Sequence, residues 1–130
     1  MQIETFKLTA TATQVAAADT TAQTLKTLSD ASEVARVPVL AVFHKAAGTA
    51  YSAATGDLIV KDEDGSVWFV LPAAGFLDTA SEAARAVPAS VNAFTGGNKT
   101  ITLNATGTVT AAAASPGITI TISHYVVALK

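Results

Sequence analysis

The sequence predicts an all-β protein: an antiparallel sandwich or barrel with at most one short helix. Three observations predict it. Short runs rich in Val, Ile, Thr, Phe and Tyr, the residues that favour pleated sheet, recur along all 130 residues. Several of them alternate apolar and polar side chains with the period of two that a half-buried strand requires. Turn signals separate the runs, and helix signals are scarce.

The elements follow in order. Residues 3–13, "IETFKLTATAT", set Phe6, Leu8, Ala10 and Ala12 against Thr5, Lys7, Thr9 and Thr11. That is a half-buried strand. Residues 22–28 form a weaker one. Residues 34–44, "VARVPVLAVFH", form a long strand in which Pro38, having no N–H, belongs at an edge or a bulge. Residues 57–61 and 66–71 flank "DEDG", whose Asp64-Gly65 pair predicts a tight hairpin turn. Residues 99–104, "KTITLN", alternate cleanly after the turn "TGGN". A short piece at 107–111 pairs with a neighbour, and the last strand runs from 118 to 129. The stretch 46–56 is a small-residue loop. Residues 72–90 read equally as an ordered loop or as one with a helical turn over 78–86, where Thr79 and Glu82 have capping-box spacing and Pro88 stops it. No linker divides the chain, so residues 1–130 are read as one domain.

Three runs are apolar on both faces. In "VWFVL", Val67, Phe69 and Leu71 oppose Trp68 and Val70. In "VPVLAVF", Val37, Val39, Ala41 and Phe43 oppose Pro38, Leu40 and Val42. In the last strand, Ile118, Ile120 and Ile122 alternate with Thr119, Thr121 and Ser123 until His124 and Tyr125, after which Val126, Val127, Ala128 and Leu129 follow with no polar break. Antiparallel sheets usually wet one face. Surplus apolar surface is an aggregation hazard unless covered, so either residues 72–90 or another subunit covers it.

Composition narrows the function. Charged residues are 14% of the chain and the net charge is −2, against about a quarter charged in an average domain. No basic patch invites nucleic acid. There is no cysteine, which excludes disulfides and thiolate metal sites. The start "MQIETFKLTAT" lacks a signal-peptide core and no run suits a membrane span, so cytosolic synthesis without membrane attachment is expected.

No motif adds up to chemistry. His44 and His124 are the only histidines. Ser123 cannot serve His124, because adjacent strand residues point to opposite faces; a polar residue on a partly buried sheet or at a subunit contact is the simpler reading. "DEDG" groups three carboxylates but lacks the ligand series of a calcium loop, and a solvated turn accounts for it. "TGG" at 95–97 lacks the Lys-Ser/Thr of a phosphate loop. Asp78 and Glu82 have no acid partner. Trp68 could stack on a sugar, but its apolar neighbours favour core or interface. No catalytic residue, metal or cofactor is expected.

The run "VARVPVLAVFHKAAGTAYSAATGDLIVKD" after "TTAQTLKTL", and above all "FTGGNKTITLNATGTVTAAAASPGITITISHYVVAL", resemble the small auxiliary proteins that cement or decorate the capsids of tailed phages. The likeness is a pattern of strands over most of the chain and includes no site motif; "SDASE" stands where such proteins often have a Pro-Gly turn. The resemblance implies a jelly-roll-like β-sandwich without enzymatic activity. It implies a virion protein, made in the host cytoplasm, that binds the outside of a shell of major capsid protein, often as a homotrimer. The alternative is a binding module of a tail or spike that recognises a sugar or receptor. Phe6, Leu40, Val42, Tyr51, Trp68, Phe76, Tyr125 and Val127 are the candidate residues for subunit or capsid contact. The arm "MQIETF" and the loops 46–56 and 72–77 are the segments expected to reach a shell.

Overall fold

A computed structural model describes residues 2–129. Eight long strands are divided equally between two antiparallel sheets. The first sheet holds β1 (Gln2–Ala10), β11 (Ile118–Ala128), β3 (Val34–Lys45) and β7 (Ala83–Pro88) in that order, with the short β8 (Thr95–Gly96) also paired to β3. The second holds β2 (Gln23–Thr27), β9 (Thr100–Ala105), β5 (Asp57–Asp62) and β6 (Val67–Pro72). A two-stranded ladder joins β4 (Ala53–Ala54) to β10 (Val109–Thr110). Two four-stranded sheets of long strands, in which successive strands change sheet except at the β5–β6 hairpin, are a jelly roll, as the resemblance implied.

The core lies between the sheets. Leu8, Phe43, Ile118, Ile120 and Ile122 come from the first, and Leu58, Val60, Phe69, Ile101 and Leu103 from the second. The alternation in "ITITI" therefore does what it predicts, with the isoleucines inward and the threonines outward. β1 pairs with β11 along its whole length, from Gln2 opposite Val126 to Ala10 opposite Ile118.

Two bulges reset the faces of two of the three runs that are apolar on both sides. Opposite β11 the register shifts between Ser123 and His124, which pair with Leu40 and Pro38, so Val39 is the extra residue. Pro38 thus sits at a bulge, the place in an inner strand where a missing N–H costs least. Because a bulge inserts one residue and resets the alternation, Val39 and Leu40 are both exposed while Pro38, Ala41 and Phe43 are buried. This corrects the expected grouping of Val37 and Val39 with Ala41 and Phe43, and of Pro38 with Leu40 and Val42. Between β5 and β6 the register shifts again, with Val60 opposite Phe69 and Lys61 opposite Val67. Trp68 is the extra residue there, and both Trp68 and Phe69 are fully buried.

The "DEDG" turn closes the β5–β6 hairpin. Gly65 adopts φ 93°, a conformation that side chains resist. The Asp62 carboxylate accepts from the N–H groups of Asp64 and Ser66. At the small ladder, a Cβ on Gly107 would stand 2.4 Å from the Thr55 carbonyl oxygen, so only glycine lets these backbones approach so closely.

Two expectations fail. The first strand ends at Ala10, and Ala12–Ala17 form α1. Thr11 Oγ1 accepts from the Gln14 N–H while Gln14 Oε1 accepts from the Thr11 N–H, a reciprocal cap that turns the chain, and Val15 plugs the core. Residues 78–86 are not helical: Ala83–Pro88 form β7, paired to β3 from Ala83 opposite Lys45 to Pro88 opposite Leu40. The edge of β3 offers a full ladder of backbone partners, and that tertiary gain overrides the helix preference of "AARA". Lys45 helps to hold the crossing. Its buried ammonium donates to the carbonyls of Thr79 and Ser81 at 2.8 and 2.9 Å.

Candidate functional site

Among the described residues no second sheet or helix covers the outward face of the first sheet. Its residues follow from the register. Ile3, Thr5, Lys7 and Thr9 of β1 lie beside Tyr125, Ser123, Thr121 and Thr119 of β11. These in turn lie beside Val37, Leu40, Val42 and His44 of β3. Beyond them come Pro88, Ala86 and Ala84 of β7. Lys7 and the ionisable His44 are the only charge-bearing side chains in this set. Leu40 and Val42 are 41% and 37% exposed, and Ile3 is 63% exposed.

At one end of the face, Ala35, Val37, Ala93, Phe94, Val127 and Leu129 line an apolar groove of about 420 Å³. Phe94 is brought there by the short β8, which extends the sheet alongside Ala35 and Arg36. Next to it Val91 stands almost fully exposed, before Asn92 at φ 61°. An apolar band thus runs from Ile3 through Tyr125 and Val37 to the groove, and a second band runs over Val39, Leu40, Val42 and the alanines of β7. Contiguous exposed apolar surface of this kind marks interaction sites in soluble proteins.

Of the eight candidate contact residues, Leu40, Val42, Tyr125 and Val127 gather on this face. Three others are corrected to core positions: Trp68, Tyr51 and Phe76 are buried within the single chain. Trp68 donates from Nε1 to Thr95 Oγ1 at 2.9 Å, and that hydroxyl donates to Asp62 at 2.7 Å. Tyr51 donates to the Pro116 carbonyl at 2.7 Å, and burial pushes its pKa up to about 12. Phe76 meets Phe43 edge to face at 6.3 Å. Phe6 points inward, half-buried, and "MQIETF" is not a free arm: Gln2–Phe6 are part of β1. Ile3, Val37, Phe94 and Leu129 belong to the face and were not singled out in the sequence. Ile3 carried a signal, as an apolar residue on the side of β1 that holds Thr5, Lys7 and Thr9, whereas Val37 reads as core-facing until the bulge at Val39 resets its face.

Under the inward side of the same sheet lies a polar cluster. Arg36 grips Asp30 with two hydrogen bonds, from Nε at 2.6 Å and from Nη2 at 2.9 Å. Its Nη1 donates to Glu4 at 2.9 Å and lies 2.7 Å from Nε2 of His124. His124 is fully buried and stacks on Phe6 with ring centroids 4.1 Å apart. Lys26 and Arg36 both sit over the Phe6 ring, 5.0 and 5.1 Å from its centroid. The hydrogen bonds to Asp30, reinforced by Glu4 and opposed by burial, raise the Arg36 pKa further above its already high value. His124 is pushed the other way, by burial first and then by Arg36. The sequence signal for this cluster was Arg36 itself, the one charge inside "VARVPVLAVF".

The other motifs also find their places. Ser123 faces outward opposite Leu40 and His124 faces inward, as their adjacency requires. His44 meets Glu82 at 3.4 Å on the exposed rim. Asp64 pairs with Lys99 at 2.9 Å, a contact that raises the lysine pKa. Among the described residues no group of three or more His, Asp or Glu side chains could hold a metal ion.

No family model matches the sequence, and no curated protein matches it. Among solved structures, a chain of the cyanophage Pam1 capsid asymmetric unit is similar, with a TM-score of 0.59 over 95% of this chain and 84% of that chain. Sequence identity is 13%, so the likeness speaks for the fold.

Proposed function

We propose that this protein is a structural component of a phage virion, which binds the outer surface of the capsid as a cement or decoration subunit and stabilises it. The major capsid protein is its partner, and no reaction or cofactor is part of the role. The observation that carries this reading is the uncovered, almost uncharged outer face of the β1-β11-β3-β7 sheet. Its fold likeness to a chain of a cyanophage capsid asymmetric unit supports the setting, as do coverages that make the two chains similar in length. Burial of apolar surface contributes roughly 25 cal/mol per Å², and a subunit that binds only the assembled shell stabilises that shell by mass action. A sugar-binding module would need an aromatic platform in a cleft; Trp68 and Tyr51 are buried and not free to supply one, and Tyr125 stands on the open sheet face between Ile3 and Val37.

The test uses purified shells lacking the protein. Wild-type protein should co-sediment with them and reduce their breakage on heating. The double variant Leu40→Glu, Val42→Glu should lose at least tenfold in binding. Its own stability should change little, because both sites are exposed. Unchanged shell binding by that variant, or retention of the wild type on a glycan array instead of on shells, would overturn the assignment.

Self-association belongs to the same reading. A homotrimer is expected, with part of the apolar face and its groove covered by neighbouring copies. Light scattering should then return three times the 13.1 kDa chain mass, and a lasting monomer at micromolar concentration would reserve the whole face for the shell.

A further inference from the structure

We propose that the Arg36–His124–Glu4–Asp30 cluster is an acid-sensitive latch, which holds the N-terminal half of β1 to the sheet at neutral pH and lets it lift when His124 takes up a proton. This goes beyond the capsid reading and rests only on the fold. β1 is an edge strand, bonded on one side to β11 and free on the other. Two inward side chains pin its first half: Glu4 through Arg36, and Phe6 through the face of the His124 ring. Both pins converge on one imidazole that has no exposure to solvent.

The hydrogen bonding defines the neutral state. Arg36 has only donors, so at 2.7 Å from Nε2 it requires an unprotonated acceptor there. The ring proton then resides on Nδ1, which is buried and makes no hydrogen bond of ordinary geometry, although the Ile122 carbonyl favours its proton. A second proton must enter at Nε2, where it meets the guanidinium head-on. The charges around the ring are Arg36 from β3, Glu4 from β1, Asp30 from the segment before β3, and Lys26 of β2 above Phe6, while β6 packs the uncharged Trp68 ring 6.5 Å from it. Two carboxylates balance Arg36 and Lys26 while the imidazole is neutral. Protonation leaves one uncompensated positive charge in a buried setting, and such charges are strongly disfavoured. Glu4, whose Oε1 is 3.9 Å from Nε2, can reach the new proton only by loosening its hold on Arg36. The cheapest relief is for the first residues of β1 to swing out and admit water, since β11 and β3 are each flanked on both sides.

The sign follows from linkage. The folded ring titrates below its ordinary value. Its contribution is therefore whole above about pH 6.5 and is lost as the pH falls towards the depressed folded value. One proton taken up on opening makes opening more favourable by up to about tenfold per pH unit.

The experiment is hydrogen exchange resolved by amide on the full chain at pH 7.5 and 5.5, expressed as protection relative to the unstructured rate. Protection in the Gln2–Phe6 half of β1 should fall by up to about tenfold per pH unit below about 6.5. Protection at Ile120, Ile122 and Leu103 should hold. His124→Gln should abolish the dependence, while His44→Gln, which removes the other histidine, should keep it. A flat wild-type response, a slope that survives His124→Gln, or simultaneous loss of protection in all strands would each overturn the latch. Should His124→Gln fail to fold, the ring titration of His124 in the wild type decides. Coincidence of its midpoint with the loss of β1 protection supports the latch, and a ring that titrates while β1 stays protected overturns it.

Discussion

Replacing Trp68 by alanine is expected to destabilise the fold by about 3–5 kcal/mol, the range for deleting a fully buried large aromatic. The indole is the extra residue of the β6 bulge and has no exposed surface. Its removal opens a cavity between the sheets that the paired strands on either side cannot collapse to fill. It also takes away the donor to Thr95, whose hydroxyl secures the carboxylate of Asp62 beneath the hairpin turn. Trp68→Phe separates the two effects. It keeps much of the apolar volume and loses the hydrogen bond, for a cost of about 1–2 kcal/mol. Chemical denaturation with matched slopes measures both. If Trp68→Ala left stability within about half a kcal/mol and weakened association instead, the indole would be a contact residue and its core placement would be wrong.

Arg36→Met comes next, with an expected loss of about 3 kcal/mol. Breaking a buried ion pair by removing one partner generally costs about 3–5 kcal/mol, because the other charge stays behind unpaired. The lower end applies because Glu4 is 38% exposed and can turn to solvent, whereas Asp30 at 12% cannot do so freely. Methionine keeps the apolar stem and removes the guanidinium that sits over Phe6, so the loss reports the charge with its hydrogen bonds and its stacking. A second readout distinguishes this from simple packing damage. Arg36 is one of the two causes that depress the His124 pKa, so the variant's ring should titrate closer to its ordinary value, with burial alone still holding it down. An unmoved His124 titration would show that the guanidinium does not govern the ring.

The strands were legible where one side chain per residue step decides the face. "ITITI" and "KTITLN" needed only alternation, and "DEDG" announced its turn through Gly65. What could not be read was any place where a partner across the sheet inserts or withdraws a residue. The bulges at Val39 and Trp68 reset the alternation, so Trp68 moved from a supposed second face into the core, and Val39 moved out of it. Local signals of equal strength also pointed both ways. Thr11–Gln14 and Thr79–Glu82 have the same capping-box spacing, yet only the first caps a helix, because residues 83–88 have the open edge of β3 to pair with. The contact face was half legible. Leu40, Val42, Tyr125 and Val127 were visible as surplus apolar residues on strands, while Phe94 and Leu129 join them only through the path of the chain around β8 and the end of β11. The Arg36 cluster spans residues 4 to 124, and no local pattern could assemble it.

The pairing of Gln2 with Val126 places both described ends of the chain at one end of one pair of antiparallel strands. A pull applied between those ends would load the β1–β11 ladder from that end inward, so its backbone hydrogen bonds would break in succession and not as a set. Peeled in this way, the sandwich should yield at a low force along this axis, whatever its resistance to heat. The same proximity means that a short peptide could close the two ends into a ring, and a new opening at the exposed Asp64-Gly65 turn would leave every long strand uncut.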